Sequence, residues 1–277
     1  MIESDPVALD LNVDAALALQ DLVGIESYPP VLVLLPNIYD EEDSRRVRAV
    51  VLEQLGEAGI IEDGRVHPQV EHWLRCLYRP DVELVARIMD AGQDGEPAAM
   101  LRLSLVRCAD THVLAVRCDD HVVIQPVFQQ DRDLRPVAAA LAAALGPCPA
   151  LRFEPFTANA AQLAEIGADR ADRRAALLEL GAEPHTAGVL SRVLDEVVRR
   201  AELVMIEHRD GVTGEPQTCV SVLDTQSGRL VVTPRAALDG QIWSTFAPGD
   251  DAALQAGIAA LVELLPGRNW FGTSRID

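Results

Sequence analysis

The sequence predicts an α+β fold: two pseudo-two-fold related α/β halves, each a four-stranded antiparallel meander with helices, fused around a central antiparallel sheet. The first observation is an internal repeat. A β-rich run from Glu83 to Ile88 and another from Glu202 to Ile206 each lead to the same tripeptide, Gly95-Glu96-Pro97 and Gly214-Glu215-Pro216, offset by 119 positions. Leu103–Val106 is then matched by Val220–Leu223, His112–Val116 by Arg229–Thr233, and Val122–Phe128 by Gln241–Phe246. The second observation is that each copy closes with an Ala/Leu-rich helix ended by Gly146-Pro147 or Pro266-Gly267, the residues that punctuate a helix end. The third is a matching helix ahead of each meander. Val70, Trp73, Leu74 and Leu77 form an i, i+3, i+4, i+7 stripe, answered by Leu190, Val193, Leu194 and Val197. A repeat this long, present twice, describes a duplicated half-domain rather than a solenoid.

Taken in order, Val7–Leu11 alternates as a short strand, and Asn12 or Asp14 caps a helix that runs to Gly24. Tyr28-Pro29-Pro30 stops the chain, and Val31–Leu35 reads as a fully buried strand ended by Pro36. Asp40-Glu41-Glu42-Asp43 suits the positive N-terminal end of the next helix better than a metal, since no histidine or further acid completes a ligand set. That helix closes at Leu55-Gly56, and another starts at Pro68. Pro147-Cys148-Pro149 and the stretch Leu151–Phe156 mark the boundary between an N-terminal half, 1–148, and a C-terminal half, 149–277. The connection is short and partly apolar, which predicts one continuous sheet rather than tethered beads.

A chain of 277 residues can bury a large core. Against 43 acidic residues stand 24 basic ones, all arginine, for a net charge of −19. Nucleic acid and anionic membrane are bound by neutralising basic patches, so that field excludes them as main partners. Five scattered cysteines without a C-x-x-C point to reduced thiols in a cytoplasmic protein. The acidic start Met1–Pro6 is unlike a signal peptide, and no apolar run approaches the roughly 20 residues of a bilayer span, so no membrane anchoring is expected.

The sequence carries no grammar of catalysis. His112, Cys118 and His121 match no common zinc spacing, and neither a metal nor a cofactor is expected. Glu207-His208-Arg209-Asp210 ends a strand, where alternate residues point to opposite faces, and reads as a charged hairpin mouth rather than an acid/base pair. Ser221 lacks the G-x-S-x-G elbow, and no glycine-rich phosphate loop or H-E-x-x-H occurs. Trp243 and Phe246 are both expected to pack in the core. A binding protein follows, the competing class being an enzyme or small-molecule binder that uses the concave sheet as a pocket with Glu207, His208 and Asp210.

Several stretches resemble the EspG family, the ESX (type VII) secretion-associated proteins of actinobacteria. They are Leu22–Leu32, Glu207–Gly211, Ser227–Val232, Asp239–Gly249 and Leu264–Phe271. The second-half motifs are most similar to members of the metal-uptake ESX system. The resemblance implies a cytosolic chaperone, not an enzyme, that grips the apolar tip of PPE proteins in PE–PPE heterodimers and keeps them soluble for secretion. The loop Asp90–Ala98 is short beside that of some members, which implies a reduced contact there.

The family's surface, carried onto this chain, comprises part of the loop (Asp90, Gln93, Asp94, Glu96), the helix around Leu190, Val193 and Val197, and two strands. The first strand supplies Thr218, Cys219, Val220, Ser221, Val222 and Leu223, the second Arg229 and Val231. Either Val220 and Val222, or Cys219, Ser221 and Leu223, face the client. The oligomeric state, monomer or weak homodimer, is left open.

Overall fold

The computed structural model describes residues 6–38, 40–92, 99–129, 131–210 and 218–275. One antiparallel sheet of ten strands dominates them. The first meander comprises β4 (Val82–Asp90), β5 (Met100–Cys108), β6 (Thr111–Cys118) and β7 (His121–Pro126). The second comprises β9 (Val197–Glu207), β10 (Val220–Thr225), β11 (Gly228–Ala236) and β12 (Ile242–Pro248). They meet along β4 and β9, where Val85 pairs with Val204, a separation equal to the offset between the Gly-Glu-Pro tripeptides. Both tripeptides lie outside the described residues.

Each meander gains a fifth, outer strand. Leu9–Asn12 (β1) pairs with β7, and Phe156–Asn159 (β8) pairs with β12. The same residue ends both strands and starts the helix that follows. Asn12 Oδ1 accepts the Ala15 amide at 2.8 Å to cap α1 (Val13–Val23), and Asn159 Oδ1 accepts the Ala161 amide at 2.9 Å to cap α5 (Ala160–Ala164). The first of these strands is legible in the sequence. The second falls in the expected boundary peptide, which enters the sheet instead of passing over it.

The remaining helices are α2 (Glu41–Glu57), α3 (Pro68–Tyr78), α4 (Arg135–Leu145), α6 (Arg170–Glu179), α7 (Pro184–Val193) and α8 (Asp251–Leu264). Asp40 caps α2 by accepting the Glu42 and Asp43 amides at 2.9 and 3.0 Å, as its acidic run requires. The stripe on α3 is buried whole, with Val70 and Leu74 at 0% exposure. Its second-half counterpart is shorter than the spacing suggests: α7 stops at Val193, and Val197 opens β9.

Two local readings are corrected. Val31–Leu35 forms no strand; Pro30–Leu32 is a single 3-10 turn, followed by Val33 at φ 50°. Pro29 and Pro30 lack N–H donors, and the carbonyls of Leu32 and Val33 accept from Arg117 rather than from a ladder. The small hairpin β2 (Ile61–Glu62) and β3 (Arg65–Val66) was readable in principle, because Asp63-Gly64 sits at its turn with φ 49° and 76°.

Helices cover the sheet unequally. On one face α4 and α8 lie together over the central strands and bury Leu84, Leu105, Leu203, Val220, Val222 and Val231. Gly257 brings α8 close, since a Cβ there would stand 3.2 Å from Val220. On the opposite face α1 and α3 cover the outer strands of the first meander, while α6 and α7 cover those of the second. Between these helix pairs the inner strands show partly exposed side chains.

Candidate partner-binding face

Alternation within β10 decides which of its faces a partner can reach. Val220 and Val222 are 2% and 1% exposed beneath α8. Ser221 points the other way, opposite Glu202 on β9 and Val232 on β11, and stays half-buried, as do Thr218 and Cys219 just before the strand. Leu223 shares the Ser221 face, but one residue pair further along it is covered, packing with Leu190, Val193 and Leu230.

Most of the other expected contacts are also structural. Leu190, Val193 and Val231 are fully buried, so a partner cannot touch them without unpacking a core. Val197 is half-buried at the margin of the same cluster. Arg229 is 4% exposed and grips Asp224 through Nε at 2.6 Å and Nη2 at 2.9 Å, while Nη2 also donates to the Gly146 carbonyl at 3.1 Å. Asp90 pairs with Arg199, whose Nη1 donates to the Leu145 carbonyl at 2.8 Å. Two second-half arginines thus cap the C-terminal end of α4, where cations meet the negative end of the helix dipole. Gln93, Asp94 and Glu96 lie outside the described residues.

The first half answers with its own buried arginine. Arg107 is 3% exposed, pairs with Asp81 at 3.2 Å and donates to the Trp270 carbonyl beyond α8. Beside it the indole N–H of Trp270 donates to His112 Nε2 at 3.0 Å, so that nitrogen is an acceptor of a core hydrogen bond. Burial holds the His112 pKa below its usual 6.5. The folded state therefore binds fewer protons than the unfolded chain as pH falls through about 6.5, and stability declines with acidification. Urea denaturation between about pH 7.5 and 5.5 is expected to show His112→Gln losing up to about 1.4 kcal/mol less per pH unit than the parent. Equal slopes would show that His112 does not carry this dependence.

Glu207, His208 and Asp210 do not converge. Glu207 accepts from Arg209 Nε at 2.6 Å and from the Gly267 amide at 2.6 Å, His208 meets Glu83 at 3.0 Å, and Asp210 is held by Arg79 and Arg275. Hydrogen bonding from Arg275, with Arg79 nearby, keeps the Asp210 carboxyl below its usual range. Each group is committed to a separate ion pair, so the three make no shared catalytic geometry. His121 pairs with Asp10 at 3.1 Å, away from His112. Trp243 corrects the core expectation, being 37% exposed, whereas Phe246 lies tilted against Phe156 with ring centroids 6.3 Å apart.

What remains reachable is a strip across the sheet centre. One row of directly paired residues runs Arg102, Arg87, Glu202, Ser221, Val232 on five successive strands. Beside it lie Met100, Met89 and Arg200, also directly paired. At the first-half end, Val33 and Leu35 are exposed at 43% and 64%, next to the Arg117 anchor. The sequence-based reading overlooks Arg87 and Arg102, although a charge breaking the apolar run Leu84–Ile88 marks a residue facing out of the core.

The sequence and the fold have counterparts among known proteins. A model of the EspG family matches residues 12–260. The chain is 30% identical over 268 residues to the ESX-1 secretion-associated protein EspG1 of Mycobacterium marinum, covering 96% of this chain and 91% of that protein. It is 31% identical over 273 residues to the ESX-3 secretion-associated protein EspG3 of Mycolicibacterium smegmatis, with 96% and 90% covered. The solved Mycobacterium tuberculosis type VII secretion system chaperone EspG5, in complex with a PE25–PPE41 dimer, has the same fold. It gives a TM-score of 0.80 at 20% identity over 97% of this chain and 100% of that one. A family match across nine-tenths of the sequence, carried by relatives alike from end to end, makes this chain a member of the EspG family.

Proposed function

We propose that this protein is a cytoplasmic specificity chaperone that binds the apolar tip of PPE proteins in PE–PPE heterodimers and holds them soluble for type VII secretion. The observation that carries the reading is the half-exposed strip left between the two helix pairs on one face of the sheet. An apolar tip in water is an aggregation hazard, and a partner shields it with apolar surface set among polar residues. Ser221, Cys219, Thr218, Val197 and Val232 supply such surface toward the second half, Val33 and Leu35 toward the first. Family membership supports the reading, as does the like-folded EspG5 in its complex with a PE–PPE dimer. The protein is not an enzyme in this reading, and Glu207, His208 and Asp210 serve the fold.

The division into halves 1–148 and 149–277 belongs to the same reading. It is supported by the pairing of Val85 with Val204 and by the matching edge strands β1 and β8. The finer assignment to the metal-uptake (ESX-3) system is supported by the second-half motifs. Identities of 31% to an EspG3 and 30% to an EspG1 weigh equally for the two systems.

Co-expression with each PE–PPE pair of the same genome is expected to co-purify at least one pair through the PPE subunit. The genomic neighbourhood of that pair names the ESX system. Capture of none would refute the chaperone reading.

A further inference from the structure

We propose that Arg87, Arg102 and Arg200 make the open strip a reader of acidity: the client tip it prefers carries a carboxylate among the apolar side chains that settle on Met89 and Met100. The inference rests on the chaperone reading and names the chemistry of that site's ligand. Arg87 stands directly opposite Arg102 on β5 and directly opposite Glu202 on β9. Arg200 follows on the same face of β9, opposite Met89, which is itself opposite Met100. Cβ atoms of directly opposed residues are about 4.5–5.5 Å apart, and like charges so placed destabilise a sheet.

Among the described residues of that row, one carboxylate, Glu202 opposite Arg87, is set against these cations. Arg87, Arg102 and Arg200 make no hydrogen bond or ion pair among the described residues. Several other arginines are ion-paired, as in Arg79–Asp210, Arg173–Asp195 and Arg229–Asp224, and unpaired ones such as Arg132, Arg152 and Arg235 lie at scattered positions rather than side by side on paired strands. In a chain of net charge −19, three uncommitted guanidiniums on adjacent strands are a local reversal of the field. Phosphate polymers would meet three cations inside that negative field, too few for their charge density. A single carboxylate on an apolar helix end fits better. The planar guanidinium fork binds it in two-point geometry, and the flexible thioethers of Met89 and Met100 adapt to the neighbouring side chains.

The experiment uses the PE–PPE dimer that co-purifies with the full-length chain. Its affinity is measured at about 50 and about 300 mM salt, because partly exposed ion pairs weaken as the screening length shortens. Parent protein is expected to lose affinity with salt. The variant R87Q/R102Q/R200Q is expected to bind about tenfold or more weakly at low salt and to lose most of the salt dependence. R132Q/R152Q/R235Q removes the same number of charges from exposed arginines elsewhere and is expected to stay within about twofold of the parent.

Equal losses in the two triple variants would overturn the proposal, since a general field would then explain the binding. So would native affinity in R87Q/R102Q/R200Q, whether or not its melting temperature falls; the chaperone reading would stand, because the dimer is still captured. If the parent captures no PE–PPE pair at all, the chaperone reading fails first and this inference with it.

Discussion

Val222→Arg is expected to leave no folded protein, while Ser221→Trp, one residue away, keeps a native circular dichroism spectrum and loses its client. Val222 is 1% exposed between the sheet and α8, so a guanidinium there is desolvated without a partner and too large for the packed site, at a cost of several kcal/mol. That is comparable with the whole stability of a domain. Ser221 faces the open strip, its hydroxyl 3.9 Å from Cys219 Sγ. An indole built there projects toward the partner and leaves the core intact. Dissociation constants for the co-purified PE–PPE dimer are expected to rise by roughly 30-fold or more, equivalent to about 2 kcal/mol. Native affinity in a folded Ser221→Trp variant would place the client elsewhere. A well-folded Val222→Arg would contradict the packing of α8 on β10.

The second large effect concerns the buried pair that ties β11 to the end of α4. Arg229→Met is expected to cost about 3–5 kcal/mol in urea denaturation, because it strands Asp224, 6% exposed, as an unpaired buried carboxylate and uncaps the Gly146 carbonyl. The burial and the two short hydrogen bonds explain why this pair differs from surface pairs. Arg268 and Glu263 keep 69% and 60% exposure, and Glu263→Gln is expected to change stability by less than about 1 kcal/mol. Combining Arg229→Met with Asp224→Leu is expected to recover much of the loss, since an apolar pair of similar volume has no charge to desolvate. If the single and double variants are equally unstable, packing around Arg229 rather than its charge holds the site. Since Arg229 on β11 joins the second meander to α4, which follows the first, the loss should appear in one cooperative transition rather than two.

Local physics made much of this molecule readable without coordinates. The pair Asn12 or Asp14 and the run Asp40–Asp43 announced their helices, because side-chain acceptors at a helix start have few other uses, and Asn12 and Asp40 are the caps. The stripe on α3 was legible because its 3.6-residue period leaves one solution, and the duplicated runs placed eight of the ten sheet strands. The resemblance carried by Glu207–Gly211, Asp239–Gly249 and Leu264–Phe271 pointed to the family that the whole-chain comparison shows.

Where a side chain has a partner far away in sequence, the pattern was silent. Val31–Leu35 has a strand's composition, but Arg117, more than 80 positions on, takes two of its carbonyls and leaves a turn. Phe156–Asn159 looks like linker until β12 pairs with it. Arg229, expected on the partner surface, is instead enclosed by Asp224 and the end of α4.

The proposed partner face is the sharpest case. Val220, Val222 and Leu223 are all apolar and β10 alternates strictly, so each of its two faces offered itself equally to a partner. Only the docking of α8 on one side, and the stop of α7 at Val193 on the other, determine that Ser221 is reachable and Val222 is not. A strand's own residues set the period of its alternation. The helices that cover it, brought from distant positions by the tertiary fold, set which phase of that period meets water.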